Sequence, residues 1–219
     1  MAAQRKWLIV SAGAAMAVFV LMWCGYGLRW TWLTTFDAAL LEPMYRIGVA
    51  HPAWVSAWNV YCQVFNPVVF RLIGLVVIVV ALVRRRPRLA VFVAVTVELS
   101  GALTQLVKEI ADRPRPQTAL VVAESTSFPS GHALGMLVCV AALLAVLWPQ
   151  LPPAWRGWAA ALGVVIVVTI GAGRVVLNVH NPSDVIAGWA LGYAFFVGWL
   201  LLVPIRSADE TPAALDTAR

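Results

Sequence analysis

The chain has few charged residues. Only 12% of its 219 residues are Asp, Glu, Lys or Arg, whereas 62% are hydrophobic. An average soluble domain carries about 25% charged residues, so this composition excludes an ordinary soluble protein and predicts an integral membrane protein. The sequence shows no internal repeat. We expect a single membrane domain over residues 1–206 and a polar, disordered tail at 207–219.

Cysteine and histidine are also scarce, with three of each in the chain. Cys24, Cys62 and Cys139 have neither metal-ligand spacing nor a paired pattern, so we expect small core residues and no disulfide framework. Acidic residues and histidine pairs at metal-ligand spacing are lacking, and we predict no cofactor and no metal.

The net charge of +6 comes from short basic clusters between apolar runs. Such clusters indicate membrane topology rather than a nucleic-acid surface. We therefore expect membrane lipids as partners, no nucleic acid and no obligatory protein partner.

Six apolar segments approach the length of about 20 residues that a membrane-spanning helix needs. The first one follows Arg5 and Lys6, and its apolar stretch is longer than that of a secretory signal. The sequence therefore predicts an all-α, polytopic membrane protein with six transmembrane helices. The predicted helices lie at 7–28, 66–83, 89–107, 131–148, 158–173 and 185–204.

The basic residues between these segments predict the orientation, because short cytoplasmic loops collect Lys and Arg. On this basis both termini lie in the cytoplasm, together with Arg5, Lys6, the run "RRRPR" (84–88), Arg156 and Arg206. The opposite, outer face then receives the segments 29–65, 108–130 and 174–184. The segment 29–65 is rich in Trp and Tyr, which predicts one or two interfacial helices between helices 1 and 2. A simple aromatic belt and a wall along which lipid enters remain alternatives.

Three polar stretches share this outer face: "KEIADRPRP" (108–116), "FPSGH" (128–132) and "GRVVLNVHNPSD" (173–184). Lys108, Arg113 and Arg115 come from the first stretch and Arg174 from the third. Guanidinium groups grip phosphate oxygens in pairs while Lys adds a point charge, which indicates a phosphate ligand. Arginines that only anchor lipid headgroups are the alternative.

The stretch "FPSGH" contains helix breakers and a histidine, which indicates a water boundary. If a helix begins near Gly131, its first N–H groups and the Ser130 hydroxyl point towards the same surface and can bind phosphate. A Ser-Gly pair at this place is also an ordinary helix cap, and this alternative stays open.

Two of the three histidines, His132 and His180, fall on the same cation-rich face. Asp184 follows His180 by four residues, with a helix start at Pro182 or Ser183 between them. Its carboxylate can accept the Nδ1 proton, so that Nε2 presents its lone pair for attack on phosphorus. His132 would then act as the general acid that protonates the leaving group.

The three motifs together resemble the type 2 phosphatidic acid phosphatase (PAP2) family over residues of roughly 100–190. This resemblance implies a six-helix core and metal-independent hydrolysis of lipid phosphates through a phosphohistidine. It implies that His180, Asp184 and His132 are catalytic, and that the phosphate is bound by Lys108, Arg115, Ser130, Gly131 and Arg174.

Two positions lie outside the shared pattern. The family usually has Ser where this chain has Gly173, and we expect a backbone amide or a water to replace the lost hydroxyl. Asp112 and Arg113 are expected to provide only surface charge or a local ion pair.

The expected function is hydrolysis of a lipid phosphate or diphosphate at the outer face of a bacterial plasma membrane. Undecaprenyl or decaprenyl diphosphate is the first candidate substrate, and phosphatidylglycerophosphate or phosphatidic acid is the alternative. A headgroup-binding protein without activity and a transporter that uses Glu98 for coupling are alternatives of other classes. Glu98 is otherwise expected to be polar packing between helices, and Arg71 to extend towards the interface.

Overall fold

The computed structural model describes residues 2–203 and 205. These residues form nine α-helices and no strand, so the predicted all-α class is confirmed. The helices are α1 (Ala2–Gly27), α2 (Thr31–Ala50), α3 (Pro52–Val64), α4 (Pro67–Val83), α5 (Pro87–Val93), α6 (Leu99–Ala111), α7 (Gly131–Leu147), α8 (Pro153–Val176) and α9 (Pro182–Leu202). Arg206 and the predicted tail at 207–219 lie outside the described residues.

Proline marks the beginning of many of these helices. Its fixed φ suits the first helical position, where its missing N–H has no intrahelical partner to lose. Five helices begin this way, at Pro52, Pro67, Pro87, Pro153 and Pro182. The start of α9 at Pro182 agrees with the sequence prediction, and it places His180 in the loop just before that helix.

Each of the six predicted apolar segments is largely helical. Within the described residues, five helical stretches are long and apolar enough to cross a membrane: Ala2–Gly27, Pro52–Val83, Pro87–Ala111, Pro153–Val176 and Pro182–Leu202. The segment predicted at 131–148 is α7, a shorter apolar helix of 17 residues. The aromatic segment 29–65 forms two helices, α2 and α3.

One helical segment carries an irregular turn. Between α5 and α6, the residues Ala94–Glu98 form a single π-helical turn, and the chain continues into α6 without a break. Such turns insert one extra residue into a helix and are frequent at functional sites. Here the turn ends at Glu98, the acidic residue that the sequence places inside an apolar span.

The helices α7 and α9 pack side by side at the centre of the fold, and α1 packs against α9. A Cβ at Gly188 of α9 would lie 2.7 Å from the carbonyl oxygen of Ser130, so only glycine allows the two helices to approach this closely at their beginnings. Leu134, Val138 and Ala187 are fully buried between them. The packing brings the first turns of α7 and α9, and the polar stretches before them, to one end of the bundle.

Candidate active site

The three polar stretches meet at this end of the bundle. The Ser130 N–H donates to the carbonyl oxygen of Asp184 at 2.9 Å, which joins the second stretch to the third. Arg115 Nη1 lies 3.2 Å from His180 Nε2, which joins the first stretch to the third. Lys108 Nζ donates to the carbonyl oxygen of Thr126 in the long loop before α7. Helix packing thus assembles one polar site from distant parts of the sequence.

His180 is buried, and its two ring nitrogens have different neighbours. Arginine can only donate hydrogen bonds, so the contact with Arg115 makes Nε2 the accepting nitrogen and assigns the proton to Nδ1. This is the tautomer that the sequence predicts. Burial lowers the pKa of His180 to about 3 against the attraction of Asp184, and the positive charges of Arg174 and Arg115 lower it further. The imidazole is therefore neutral at physiological pH, as a nucleophile requires.

A serine mediates between His180 and Asp184. His180 Nδ1 lies 3.8 Å from Asp184 Oδ2, which is too long for a direct hydrogen bond. The Ser127 Oγ donates to Asp184 Oδ2 at 2.5 Å and lies 3.5 Å from His180 Nδ1. The expected contact between imidazole and carboxylate thus runs through Ser127, a residue that the sequence motifs did not single out.

Arg113 corrects the sequence prediction of a surface charge or a local ion pair. Its side chain is only 10% exposed, and Nη1 donates to Asp184 Oδ1 at 2.6 Å, 71 positions away in the sequence. Nη2 donates to Asp37 Oδ2 at 2.9 Å, and the guanidinium lies 4.8 Å from the ring centre of Tyr26. Arg113 therefore holds the carboxylate of Asp184 in place from the side opposite His180.

Asp37 of α2 completes this buried network. Its Oδ1 accepts from the Ser183 N–H at 2.9 Å and its Oδ2 from the Ser183 Oγ at 2.7 Å. Sequence reasoning treated the whole segment 29–65 as interfacial and missed this residue. One signal was present: the helix carries no Lys or Arg three or four positions from Asp37, so its carboxylate has no partner on its own helix.

The predicted cations surround the same point. Arg115 donates from Nε to the carbonyl oxygen of Ser125 and from Nη1 to that of Val179, each at 2.6 Å. Burial, and then the neighbouring charge of Arg174, lower the pKa of Arg115 to about 10, so the guanidinium stays protonated at neutral pH. Arg174 is 8% exposed, and its Nε lacks a hydrogen-bond partner within the described part of the chain. Buried donors of this kind call for an acceptor such as phosphate.

The beginning of α7 adds neutral donors. Ser130 Oγ accepts from the Ala133 N–H at 3.4 Å, so the helix cap that the sequence left as an alternative is present, and the hydroxyl can still donate its proton. Among the described residues, the N–H groups of Gly131 and His132 have no acceptor. They are available to an anion at the helix N-terminus.

His132 follows directly in this first turn. Together with Lys108 and Ser125 it lines a cavity beside the site. The structure thus places His132 beside Lys108, one of the predicted cations. In the described ranges, no group of three or more His, Cys, Asp or Glu side chains is arranged to hold a metal ion.

Gly173, where the family usually has Ser, packs against α3. A Cβ at this position would lie 2.7 Å from Cys62 Sγ and 2.9 Å from Trp58 Cε3. The thiol and the indole ring would have to shift to admit a side chain here. Replacement of the lost hydroxyl by a backbone amide or a water stays a prediction.

Part of the chain is similar in sequence to known proteins. Phosphatidylglycerophosphatase B of Bacillus subtilis is 35% identical over 97 residues, which are 43% of this chain and 48% of that protein. The undecaprenyl-diphosphatase of Sulfolobus acidocaldarius is 31% identical over 136 residues, 59% of this chain and 60% of that protein. The matches thus span about half to three-fifths of these relatives' length.

A solved structure shares the fold. The transmembrane PAP2 type phosphatidylglycerolphosphate phosphatase from Bacillus subtilis superposes with a TM-score of 0.77 and 21% sequence identity, covering 88% of this chain and 95% of the other. The model of the PAP2 superfamily matches residues 89–207, more than half of the chain, and the match contains all three polar stretches. The chain therefore belongs to the PAP2 superfamily.

Proposed function

We propose that the chain is a membrane enzyme that hydrolyses a lipid phosphate or diphosphate. The observation that carries this proposal is the arrangement around His180. A neutral imidazole turns its Nε2 lone pair towards the guanidinium of Arg115, inside a cluster of buried cations. A protein that only binds headgroups has no use for an oriented nucleophile, and relatives in the same family are named as phosphatases.

The proposed mechanism has two steps. Lys108, Arg115 and Arg174, with Ser130 and the amides near Gly131, bind the phosphoryl oxygens, and this binding moves Arg115 from the imidazole onto the more basic phosphate. The Nε2 lone pair of His180 forms an N–P bond while the P–O bond to the leaving group breaks and its electron pair stays on that oxygen. Water then attacks phosphorus, the N–P bond breaks, and inorganic phosphate leaves.

The neighbouring groups have supporting roles in this mechanism. The bound phosphate anion offsets the positive charges around His132, so that its ring can carry the proton that it gives to the leaving oxygen, which an alkoxide requires. Asp184, acting through Ser127, stabilises the positive charge that the His180 ring gains when Nε2 bonds to phosphorus. Chemistry of this kind needs no metal, because the cations of the chain balance the charge on the phosphoryl oxygens.

We further propose the membrane arrangement. The domain over 1–206 crosses the membrane six times, through α1, α4, the α5–α6 segment, α7, α8 and α9. The helices α2 and the beginning of α3 lie at the outer interface, both termini are cytoplasmic, and the site opens to the outside of a bacterial plasma membrane. Support comes from the basic residues at 84–88 and at Arg156, which lie at the helix ends opposite the site.

The proposed substrate is a polyprenyl diphosphate, such as the undecaprenyl or decaprenyl form. The relative from Sulfolobus acidocaldarius carries the name of such an activity. Phosphatidylglycerophosphate is the second candidate, supported by the name of the relative from Bacillus subtilis. Phosphatidic acid is a third lipid with the same phosphate chemistry.

The decisive experiment replaces His180 by Ala in detergent-solubilised protein and measures phosphate release from lipid phosphates and diphosphates with a chelator present. We expect kcat/KM to fall by at least about 1,000-fold, because the remaining site binds phosphate but has no nucleophile. His51→Ala is the matched control, since this third histidine is exposed at the junction of α2 and α3. Equal activity of the His180→Ala and unmodified proteins would refute the mechanism, and no release by the unmodified protein would favour a binding or transport role.

A further inference from the structure

A cavity extends from the site into the apolar layer of the protein. It has a volume of about 350 Å³ and lies between the beginnings of α4 and α7 and one face of α6. Lys108 and His132 line it at the site, whereas Arg71 and Glu98 line it deeper in the bundle. The mechanism proposed above uses the first two residues and leaves the other two without a role.

Arg71 and Glu98 have unsatisfied polar atoms. The Arg71 Nε and the Glu98 Oε1 are buried and lack hydrogen-bond partners within the described residues. Charged groups inside an apolar layer are costly unless they are paired, so two such groups on the wall of one cavity indicate a polar ligand. The two groups are close enough to attract each other electrostatically. Glu98 thereby balances part of the positive charge of Arg71.

The guanidinium of Arg71 lies against α6. A Cβ at Gly101 would lie 2.7 Å from its Cζ, Nη1 and Nη2 atoms, so the group lies flat over this glycine. Gly101, Gln105 and Lys108 share one face of α6 at helical spacing. The two turns between Gly101 and Lys108 place the two cations about 10 Å apart along the helix axis.

The in-line geometry of phosphoryl transfer suggests a role for Arg71. In phosphoryl transfer the attacking atom and the leaving oxygen lie on opposite sides of phosphorus. In the mechanism proposed above, His180 attacks from one side and His132 protonates the leaving oxygen on the other, so the leaving group departs into the space that His132 lines. That space is the cavity that contains Arg71.

We propose that Arg71 binds the leaving phosphate of a lipid diphosphate and makes the site selective for diphosphates over monophosphates. This inference rests on the proposed function. His180 Nε2 bonds to the terminal phosphorus, and the bond from that phosphorus to the bridging oxygen breaks. The electron pair remains on the bridging oxygen, which leaves as part of a lipid monophosphate. Its negative charge then forms charge-assisted hydrogen bonds with Arg71.

The leaving groups of a lipid monophosphate and of a lipid diphosphate depend on different side chains. A lipid monophosphate ester releases an alcohol, which must take a proton from His132 and carries no charge for Arg71 to bind. A diphosphate releases a phosphate group whose second pKa is about 6, so it leaves as an anion and depends less on an acid. Loss of Arg71 should therefore harm diphosphate hydrolysis, and loss of His132 should harm monophosphate hydrolysis more.

The test compares farnesyl diphosphate with farnesyl monophosphate, which have the same tail. In the Arg71→Gln variant we expect kcat/KM for the diphosphate to fall by about 10- to 100-fold and that for the monophosphate by less than about 3-fold. Arg71→Lys should retain part of the preference. Gly101→Ala should reduce it without removing a charge, because the new methyl group displaces the guanidinium. Arg84→Gln, at the exposed far end of the same helix, is the matched control.

A second measurement separates this inference from the proposed function. In the His180→Ala background, binding of pyrophosphate and of phosphate is measured with and without Arg71→Gln. We expect pyrophosphate to bind more tightly than phosphate only when Arg71 is present. Equal losses for both substrates, or an unchanged binding preference, would overturn the role of Arg71 even if the chain proves to be a phosphatase. Absence of turnover with an intact, Arg71-dependent binding preference would overturn the proposed function and support the subsite.

Discussion

The two sides of the candidate site are built differently. Behind His180, the buried polar groups of Asp37, Arg113, Ser127 and Asp184 are joined to one another by hydrogen bonds of 2.5–2.9 Å. On the side of His132, the cavity wall contains polar atoms of Arg71 and Glu98 that have no partner among the residues the structure describes. A hydrogen-bonded network in which every group is paired fixes the positions of its side chains. Buried polar groups without partners can instead bind a ligand. Under the proposed mechanism, we therefore expect His180 to be held in one orientation and the side of His132 to determine which substrate fits.

We expect the largest effect from removal of Arg113, which belongs to the hydrogen-bonded network behind His180. The Arg113→Ala variant leaves the carboxylates of Asp37 and Asp184 buried without their cation. Breaking a buried ion pair by deleting one partner costs about 3–5 kcal/mol, so we expect a loss of that size in the free energy of unfolding in detergent. Activity should fall with it, because Asp184 loses its fixed position.

Arg46→Ala is the control for this experiment. Arg46 pairs with Glu42 on the surface of α2, where both side chains are more than half exposed. Exposed pairs one helical turn apart contribute only about 0.3–0.5 kcal/mol. A similar small loss in the Arg113→Ala variant would show that the network does not support the fold.

We expect the next largest loss of stability from a change at Gly173, where α3 packs against the site. In a Gly173→Ser variant the new side chain collides with Cys62 and with the rigid ring of Trp58. We expect a loss of about 1–3 kcal/mol in stability, as for overpacked cores, together with reduced phosphate release as Arg174 shifts. Cys62→Ala should restore part of both. Gly157→Ser, on the same helix with no atom within 4 Å of the new Cβ, should have no such effect.

Ser127 tests whether the carboxylate acts through a hydroxyl. The Ser127→Ala variant removes the donor to Asp184 and the group next to His180 Nδ1. We expect kcat to fall by about 10-fold, which corresponds to a hydrogen bond of about 1.4 kcal/mol to a charged group. Ser183→Ala removes a hydroxyl from the same network without touching the imidazole. Its effect should appear in thermal stability and leave kcat nearly unchanged; equal effects on kcat would argue against a special role of Ser127.

The sequence predicts the helices well because the responsible signals are local. Apolar runs and first-position prolines such as Pro67 and Pro182 act within a few residues. The cations Lys108, Arg115 and Arg174 were also predictable, since helix counting brings them to one face. The pairing of Asp37 with Arg113 was not, because the partners are 76 positions apart and meet only when α2 packs against the start of α9.

Two further features of this chain, the packing at Gly173 and the π-helical turn, were also not predictable from the sequence. Gly173 looks like a missing hydroxyl in the sequence, and only the position of Trp58 shows that a side chain has no room there. No pattern in the five residues Ala94–Glu98 predicts their π-helical turn. The contact at Gly173 forms between helices, and a motif in one stretch does not encode it.

The last predicted effect concerns the pH dependence of stability. Burial lowers the pKa of His180 to about 3, whereas an unfolded chain binds a proton at its histidines below about pH 6.5. Stability from this group is therefore fully present above pH 6.5 and is lost as the pH falls towards 3. At pH 5.5 the loss should be about 1.4 kcal/mol. Unfolding is measured at pH 7.5 and 5.5, and His180→Gln should reduce the difference between the two free energies by about 1.4 kcal/mol. An unchanged difference would mean that His180 takes up its proton in the folded protein near the usual pH.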